Sequence, residues 1–311
     1  GSKRNWYGGY GLVENCIARY NEDRDTVRLP SATMGVFFMT TPTGLTAICR
    51  GCTFTGGHNP DDSNASLSTV ALFAHGSANT AYGNITLDDA TISKVFGDFS
   101  CISAAKVFKN STINCEKSGS FSDLTTVENC RFTYNSNGQI LFVDDDFTRN
   151  VTYRGCAFFF NITATTFWLQ FDGASNKTIT AENCSFATLD PSSLTELFRI
   201  RSSTDLSITF NNNVVDSLNL IQNTDSASES TIVRSFASNL YYALYGTNNI
   251  PTVTVGGASR TFAQWQSDES QDTASVAGVE PGFTDVVNGD FTTTATEVAT
   301  LQAGVEYYSA S

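Results

Sequence analysis

Asp144, Asp145 and Asp146 follow one another directly, Asp172 comes later, and Arg199 and Arg201 follow after a similar interval. Two carboxylates facing across a bound sugar can serve as general acid and general base, and a denser group can ligate Ca²⁺ through oxygen. Guanidinium groups beside them would hold an acidic sugar through charge-assisted hydrogen bonds. Gln170 and Trp168, just ahead of Asp172, would add an amide and a ring able to stack on a sugar. The competing reading of the same residues is an Asp-rich strand end flanked by salt bridges between neighbouring strands.

Other chemistries find less material. Only His58 and His75 are available as imidazole bases. No nucleophile elbow, P-loop, dinucleotide fingerprint or metalloprotease motif is present. Cys49 and Cys52 have metal-site spacing in "CRGC", but no second pair follows, so the sequence implies no metal centre there. Seven Asn-x-Ser/Thr sequons match what chance supplies in a chain this rich in Asn, Ser and Thr. Thr is too irregularly spaced to form an ice-binding array.

The elements that position these residues are strands. The 311 residues are 41% hydrophobic, enough for a sizeable core, and only 16% charged, a balance that favours sheets and tight turns over long helices. A formal charge of −13 argues against a nucleic-acid backbone or an anionic membrane surface as partner. No apolar run reaches bilayer length, so no membrane insertion is expected. The opening Gly-Ser has no signal-peptide character.

A phrase recurs: "VENC" from Val13, "CRGC" from Cys49, "VENC" from Val127, "YRGC" from Tyr153 and "AENC" from Ala181. Aligned, its bend column is Asn15, Gly51, Asp89, Asn110, Asn129, Gly155, Asn183, Asn212 and Ser235. These residue types tolerate left-handed backbone or satisfy a corner's open backbone groups. A mostly small column follows: Cys16, Cys52, Ala90, Ser111, Cys130, Cys156, Cys184, Asn213 and Phe236. Five of the eight cysteines stand there, which favours packing over a disulfide framework. Two residues further on, Phe54, Ile92, Ile113, Phe132, Phe158 and Phe186 resume an alternating pattern. The pattern predicts strand, bend and strand, repeated every 19 to 38 residues and too short to bury both faces alone. Each repeat carries a further apolar segment, at 69–75, 139–146, 167–173, 196–202 and 218–224, without a helical crossover. The expectation is a parallel β-solenoid whose stacked corners form ladders of Asn, Cys and Phe.

"NC-x-F" after an alternating strand, over residues 10–245, resembles the right-handed parallel β-helix superfamily of pectate lyases, polygalacturonases and phage tailspikes. The resemblance implies an all-β, single-stranded right-handed parallel β-helix of about nine coils. Residues 251–311 resemble the closing segment of such proteins, with Trp265 and Phe283 packing in the cap, so the chain divides into a β-helix over 1–250 and a capping segment over 251–311. In that superfamily the working surface is the outward face of one stacked sheet. Carboxylates on adjacent coils would stand about 5 Å apart and on alternate coils about 10 Å, against about 5–5.5 Å for retaining and about 6.5–9.5 Å for inverting glycosidases. His75, Asp98 and Asp225 complete the polar set on those strands.

The short polygalacturonase-like matches, His75-Gly76, Asp144 to Asp146, Arg199 to Arg201 and Asn223 to Asp225, occur in the wrong order for that family. Lysines are too scattered for a pectate-lyase base. Phe159, Phe160, Tyr241 and Tyr242 are further aromatic candidates for sugar stacking or subunit contact. Two readings follow. One is an extracellular, cell-surface or virion protein that binds polysaccharide, with cleavage by Asp144, Asp145, Asp146 or Asp172 and binding by Arg199, Arg201, Gln170 and Trp168. The other is a non-catalytic structural or adhesion module. No cofactor is firmly implied, Ca²⁺ is compatible with the aspartates, and flat solenoid faces are compatible with a homotrimer.

Overall fold

Strand, bend and strand recur as the spacing predicts. The computed structural model describes residues 7–8, 11–19, 34–39, 44–55, 70–73, 84–95, 106–115, 124–135, 142–144, 150–161, 166–172, 175–189, 195–201, 204–216, 219–223, 231–243 and 247–293. They are overwhelmingly strand, with one short helix, Phe262–Asp268. None of the described helices is long and apolar enough to cross a membrane.

Three long sheets take successive segments in turn. The first has nine parallel strands, beginning with Gly11–Glu14, Thr46–Arg50 and Asn84–Asp88 and ending with Val233–Ala237. The second has ten, from Ile17–Arg19 and Thr53–Thr55 to Leu240–Tyr242 and Val276–Ala277. The third contains Phe142–Asp144, Thr166–Asp172, Thr195–Arg201, Asn219–Asn223 and Val253–Val255 in parallel, closed by antiparallel Ala258–Arg260. Nearer the N-terminus Tyr7–Gly8, Met34–Met39 and Val70–Phe73 form a separate three-stranded sheet. Within each long sheet every parallel neighbour is one repeat away in sequence, a topology compatible with a parallel β-helix.

Each first-sheet strand enters the second sheet through one left-handed residue. Asn15, Asp89, Asn110, Asn129, Asn183 and Asn212 have φ between 49° and 58°, and Gly51 and Gly155 have 61°. Consecutive bends are hydrogen-bonded: Asn129 N donates to Arg154 O, and Arg131 N to Ser111 O, both at 2.9 Å. A Cβ at Gly51 would lie 2.6 Å from Asn15 Oδ1, so a larger residue at this bend needs the Asn15 side chain to swing aside.

The ninth bend corrects the sequence alignment. It lies at Ser238, φ 56°, not at Ser235, which pairs with Thr209 inside the first sheet. The shift moves Asn239 into the small column in place of Phe236 and puts Tyr241 in the large apolar column. Asn213 and Asn239 then continue the column polar and buried: Cys184 N donates to Asn213 Oδ1 and Asn213 N to Asn239 Oδ1, each at 2.8 Å.

The core runs between the three sheets. Phe132, Phe158 and Phe186 stack at 5.1 and 4.9 Å with planes within 8° of parallel. Such ring pairs add about 0.5–1.5 kcal/mol each beyond area burial. The thiols of Cys130, Cys156 and Cys184 are buried beside them and donate to backbone carbonyls at 3.3–3.4 Å.

At the far end, Thr261 and Gln264 form a reciprocal capping box that starts the helix. Phe262 and Trp265 pack edge-on against Tyr241 and Phe236, both at 5.5 Å. A hairpin, Phe283–Asp285 with Asp290–Thr293, then lies back over the outer face of the second sheet. Phe291 is buried against Ala157, Phe159 and Ala187, with Phe283 and Val286 alongside. Arg131 fixes the tip by donating to Val287 O at 2.9 Å and Asn288 O at 3.0 Å.

Candidate functional site

The third sheet brings part of the acidic and basic set into line. Asp144 pairs in register with Asp172, and Asp172 with Arg201, so the three occupy one column on successive strands. Phe142, Gln170, Arg199 and Gln222 form the column two positions earlier. Leu169, Phe171, Phe198 and Ile200 are fully buried, and Arg201 at the end of its strand is exposed. Asp145 and Asp146 lie outside the described residues, as do His58, His75, Asp98 and Asp225.

Arg199 is not presented as a free cation. Its Nε donates to Glu196 Oε2 at 2.8 Å, and the two side chains are only 13% and 10% exposed. Glu196 was not among the expected residues, although its place three positions before Arg199 in "ELFRIR" was a readable signal. A near-buried ion pair of this kind satisfies its own charges before it can recognise a ligand.

Trp168 is a core residue and cannot stack on a sugar. Its ring is fully buried against Tyr153, Phe158, Phe186 and Phe198 at 4.7–5.6 Å, and its indole N–H meets no acceptor. Phe160 stacks on Tyr134 at 5.4 Å inside the core, and Tyr241 is buried against Phe262. Phe159 lies on the outer side, but the C-terminal hairpin covers it. Tyr242 alone among these aromatics keeps partial exposure, in register with Asp216. Alternation along a strand sorts inward from outward positions, but it does not reveal that a distant segment returns to cover the outward ones.

The first sheet carries a charge pattern on its outer face. The residue before each bend runs Glu14, Arg50, Asp88, Lys109, Glu128, Arg154 and Glu182, which alternates in sign over seven strands in direct register. Arg50 reaches Glu14 at 3.4 Å and Asp88 at 3.2 Å, Lys109 reaches Glu128 at 2.9 Å, and Arg154 reaches Glu128 at 3.6 Å and Glu182 at 3.1 Å. The hydrogen bond and charge of Glu128 raise the Lys109 ammonium's pKa above its ordinary value. This face is self-compensated. The ladder was readable one column before the aligned bends.

Among the described residues the most enclosed carboxylate is Asp272, which is fully buried. It accepts from Ser275 Oγ at 2.6 Å, Asn239 Nδ2 at 2.8 Å, Trp265 Nε1 at 2.9 Å and Tyr241 Oη at 3.1 Å. Burial raises its pKa and those hydrogen bonds oppose the rise, while burial and the neighbouring carboxylate push the Tyr241 phenol well up. With every donor supplied from within, Asp272 ties the helix to the last strands. Nearby is a cavity of about 660 Å³ with Ile250, Pro251, Phe262 and Val276 in its wall. Arg260 and Gln266 also line it, but Arg260 faces Glu269 at 3.7 Å and Gln266 donates to Asp272 O at 2.8 Å. It holds no converging acid and base.

Among the described residues no group of three or more His, Cys, Asp or Glu side chains is placed to hold a metal ion. No family model, no curated protein and no solved structure matches this chain. The functional reading therefore rests on the third sheet's own register.

Proposed function

We propose that the protein is a right-handed parallel β-helix of about nine coils that binds an extended polysaccharide along the outward face of its third sheet. In this reading residues 251–311 close the last coil, and the molecule works outside the cell, on a cell surface or on a virion. The observation that carries it is the backbone column Asp144, Asp172, Arg201, two aspartates and an exposed arginine in register on consecutive strands. Strand neighbours repeat every ~4.8 Å, close to the ~5–5.5 Å carboxylate separation of retaining glycosidases. Asp144 and Asp172 are accordingly the pair on which cleavage would depend, and Arg201 the group that would hold an acidic sugar. Arg199 and Trp168 drop out of the site.

A second reading, a non-catalytic adhesion module, draws on a different surface. On the second sheet Thr53, Thr91 and Thr112 share one column beside Thr55 and Ser93, a run of hydroxyl-bearing residues on successive strands. The deciding experiment incubates the protein with acidic and neutral polysaccharides, following binding, new reducing ends and the ultraviolet absorbance of unsaturated uronates. The proposal expects binding that Arg201→Ala weakens, and, where products form, their loss in Asp172→Asn. Binding that survives both variants but fails on replacing Thr91 and Thr112 would favour the second reading. No binding to any polysaccharide would end the first.

A further inference from the structure

Among the cysteines of the small column, Cys16 and Cys52 are placed differently from the rest. They stand on neighbouring strands of the second sheet's entrance: Thr53 N donates to Cys16 O at 2.8 Å, and Ile17 pairs with Thr53. Residues stacked in this way are about 4.8 Å apart, inside the ~4.4–6.8 Å Cα range that a disulfide spans. Both are thiols, and the Cys16 Sγ donates to the Cys52 Sγ across only 3.2 Å. Cys16 is partly exposed, whereas Cys52 is 1% exposed and Cys130, Cys156 and Cys184 are 0–2% exposed. An oxidant therefore has an entrance at Cys16 that the deeper thiols lack.

We propose that Cys16 and Cys52 form a redox staple, closing to a disulfide when the folded chain meets a low-molecular-weight disulfide and reopening under reducing conditions. Cys16 loses its proton and its Sγ attacks one sulfur of the oxidant, expelling a thiolate that takes up a proton. Cys52, one strand away, then loses its proton and attacks Cys16 Sγ, expelling the second thiolate. Two protein thiols are oxidised, one small disulfide is reduced to two thiols, and nothing else is consumed. Burial and the neighbouring Cys52 push the Cys16 thiol up to about 11, so closure is slow at neutral pH and quickens roughly tenfold per pH unit below that value.

The staple would sit at one end of two sheets. Among the described residues, Gly11–Glu14 and Ile17–Arg19 are the outermost strands of the first and second sheets. Closing a 36-residue loop here ties both to the next repeat. Cys49 is the competing partner, but it is fully buried in the first sheet, in register with Val13 on the far side of the bend.

The test uses the folded full chain, incubated with oxidised glutathione at about pH 7 and about pH 8, alkylated, and digested with trypsin without reductant. Cleavage after Arg4, Arg19, Arg28, Arg50 and Lys94 places Cys16, Cys49 and Cys52 on the separate peptides 5–19, 29–50 and 51–94. The proposal expects 5–19 linked to 51–94, released by dithiothreitol, formed about tenfold faster at the higher pH, abolished in Cys16→Ser and retained in Cys49→Ser. A link through 29–50, glutathione left on Cys16 without resolution, or thiols that stay alkylatable would each overturn it. Should Cys16→Ser fail to fold, the peptide map of the unmodified chain and of Cys49→Ser decides the matter alone.

Discussion

Reversing Arg154 tests whether the alternating charges stabilise the stacked strands. Arg154 lies between Glu128 at 3.6 Å and Glu182 at 3.1 Å, with about half of its side chain exposed. Pairs this exposed contribute about 0.2–1 kcal/mol each, so Arg154→Gln should cost about 1 kcal/mol. Arg154→Glu also sets three carboxylates in a row. At about 5 Å and an effective dielectric between about 80 and 20, each new repulsion is worth ~0.8–3 kcal/mol, nearer the lower limit on a half-exposed face. The reversal should therefore cost about 3 kcal/mol in low salt. Urea unfolding with an unchanged m-value reads the difference directly. In about 1 M salt, where the screening length falls to ~3 Å, most of the excess over Arg154→Gln should vanish. If the two variants unfold together in low salt, or if their gap ignores salt, the ladder does not stabilise the stack as argued.

Phe158→Ala should be among the most damaging single changes, because the ring is fully buried and contacts Phe132, Phe186, Tyr153 and Trp168. A loss of about 3–5 kcal/mol in denaturant unfolding is expected, with Phe158→Leu clearly milder. Asp272 should make stability fall as pH rises. Its folded pKa is raised above the ordinary 3.8, so the native state holds the proton more tightly, and the stabilisation it adds at low pH is lost as pH climbs from there through the folded value. Urea midpoints across that range should show this decline, and it should be absent in Asp272→Asn.

The bends were legible because their chemistry is local: a left-handed residue must be Gly, Asn, Asp or, at Ser238, a less favoured type. That exception is also where the alignment slipped. "RSFASN" offers Ser235 and Phe236 as plausible columns, and only the pairing of Ser235 with Thr209 rejects them. The third-sheet strands were visible as apolar runs, and the Asp144, Asp172, Arg201 column follows from their register. The fate of Trp168 and Phe159 was not legible. Trp168 is decided by how three walls meet, and Phe159 by a hairpin more than 120 residues away in sequence. The role of Arg131 was hidden for the same reason, since its partners are the carbonyls of Val287 and Asn288. Arg199 was misread because its partner Glu196 belongs to its own strand rather than to a neighbour.

Distance measurements along the charge ladder test the stacking itself. Nitroxide side chains introduced as unnatural amino acids, which spare the cysteines, would be placed at Glu182 together with Asp88, Arg50 or Glu14, residues four, five and six strands away in the first sheet. Double electron–electron resonance should give separations that grow by about 4.8 Å per strand, near 19, 24 and 29 Å before the linker contribution, whatever the number of intervening residues. Separations that do not lengthen by that constant step would contradict the stacked sheets on which the site, the ladder and the staple all depend.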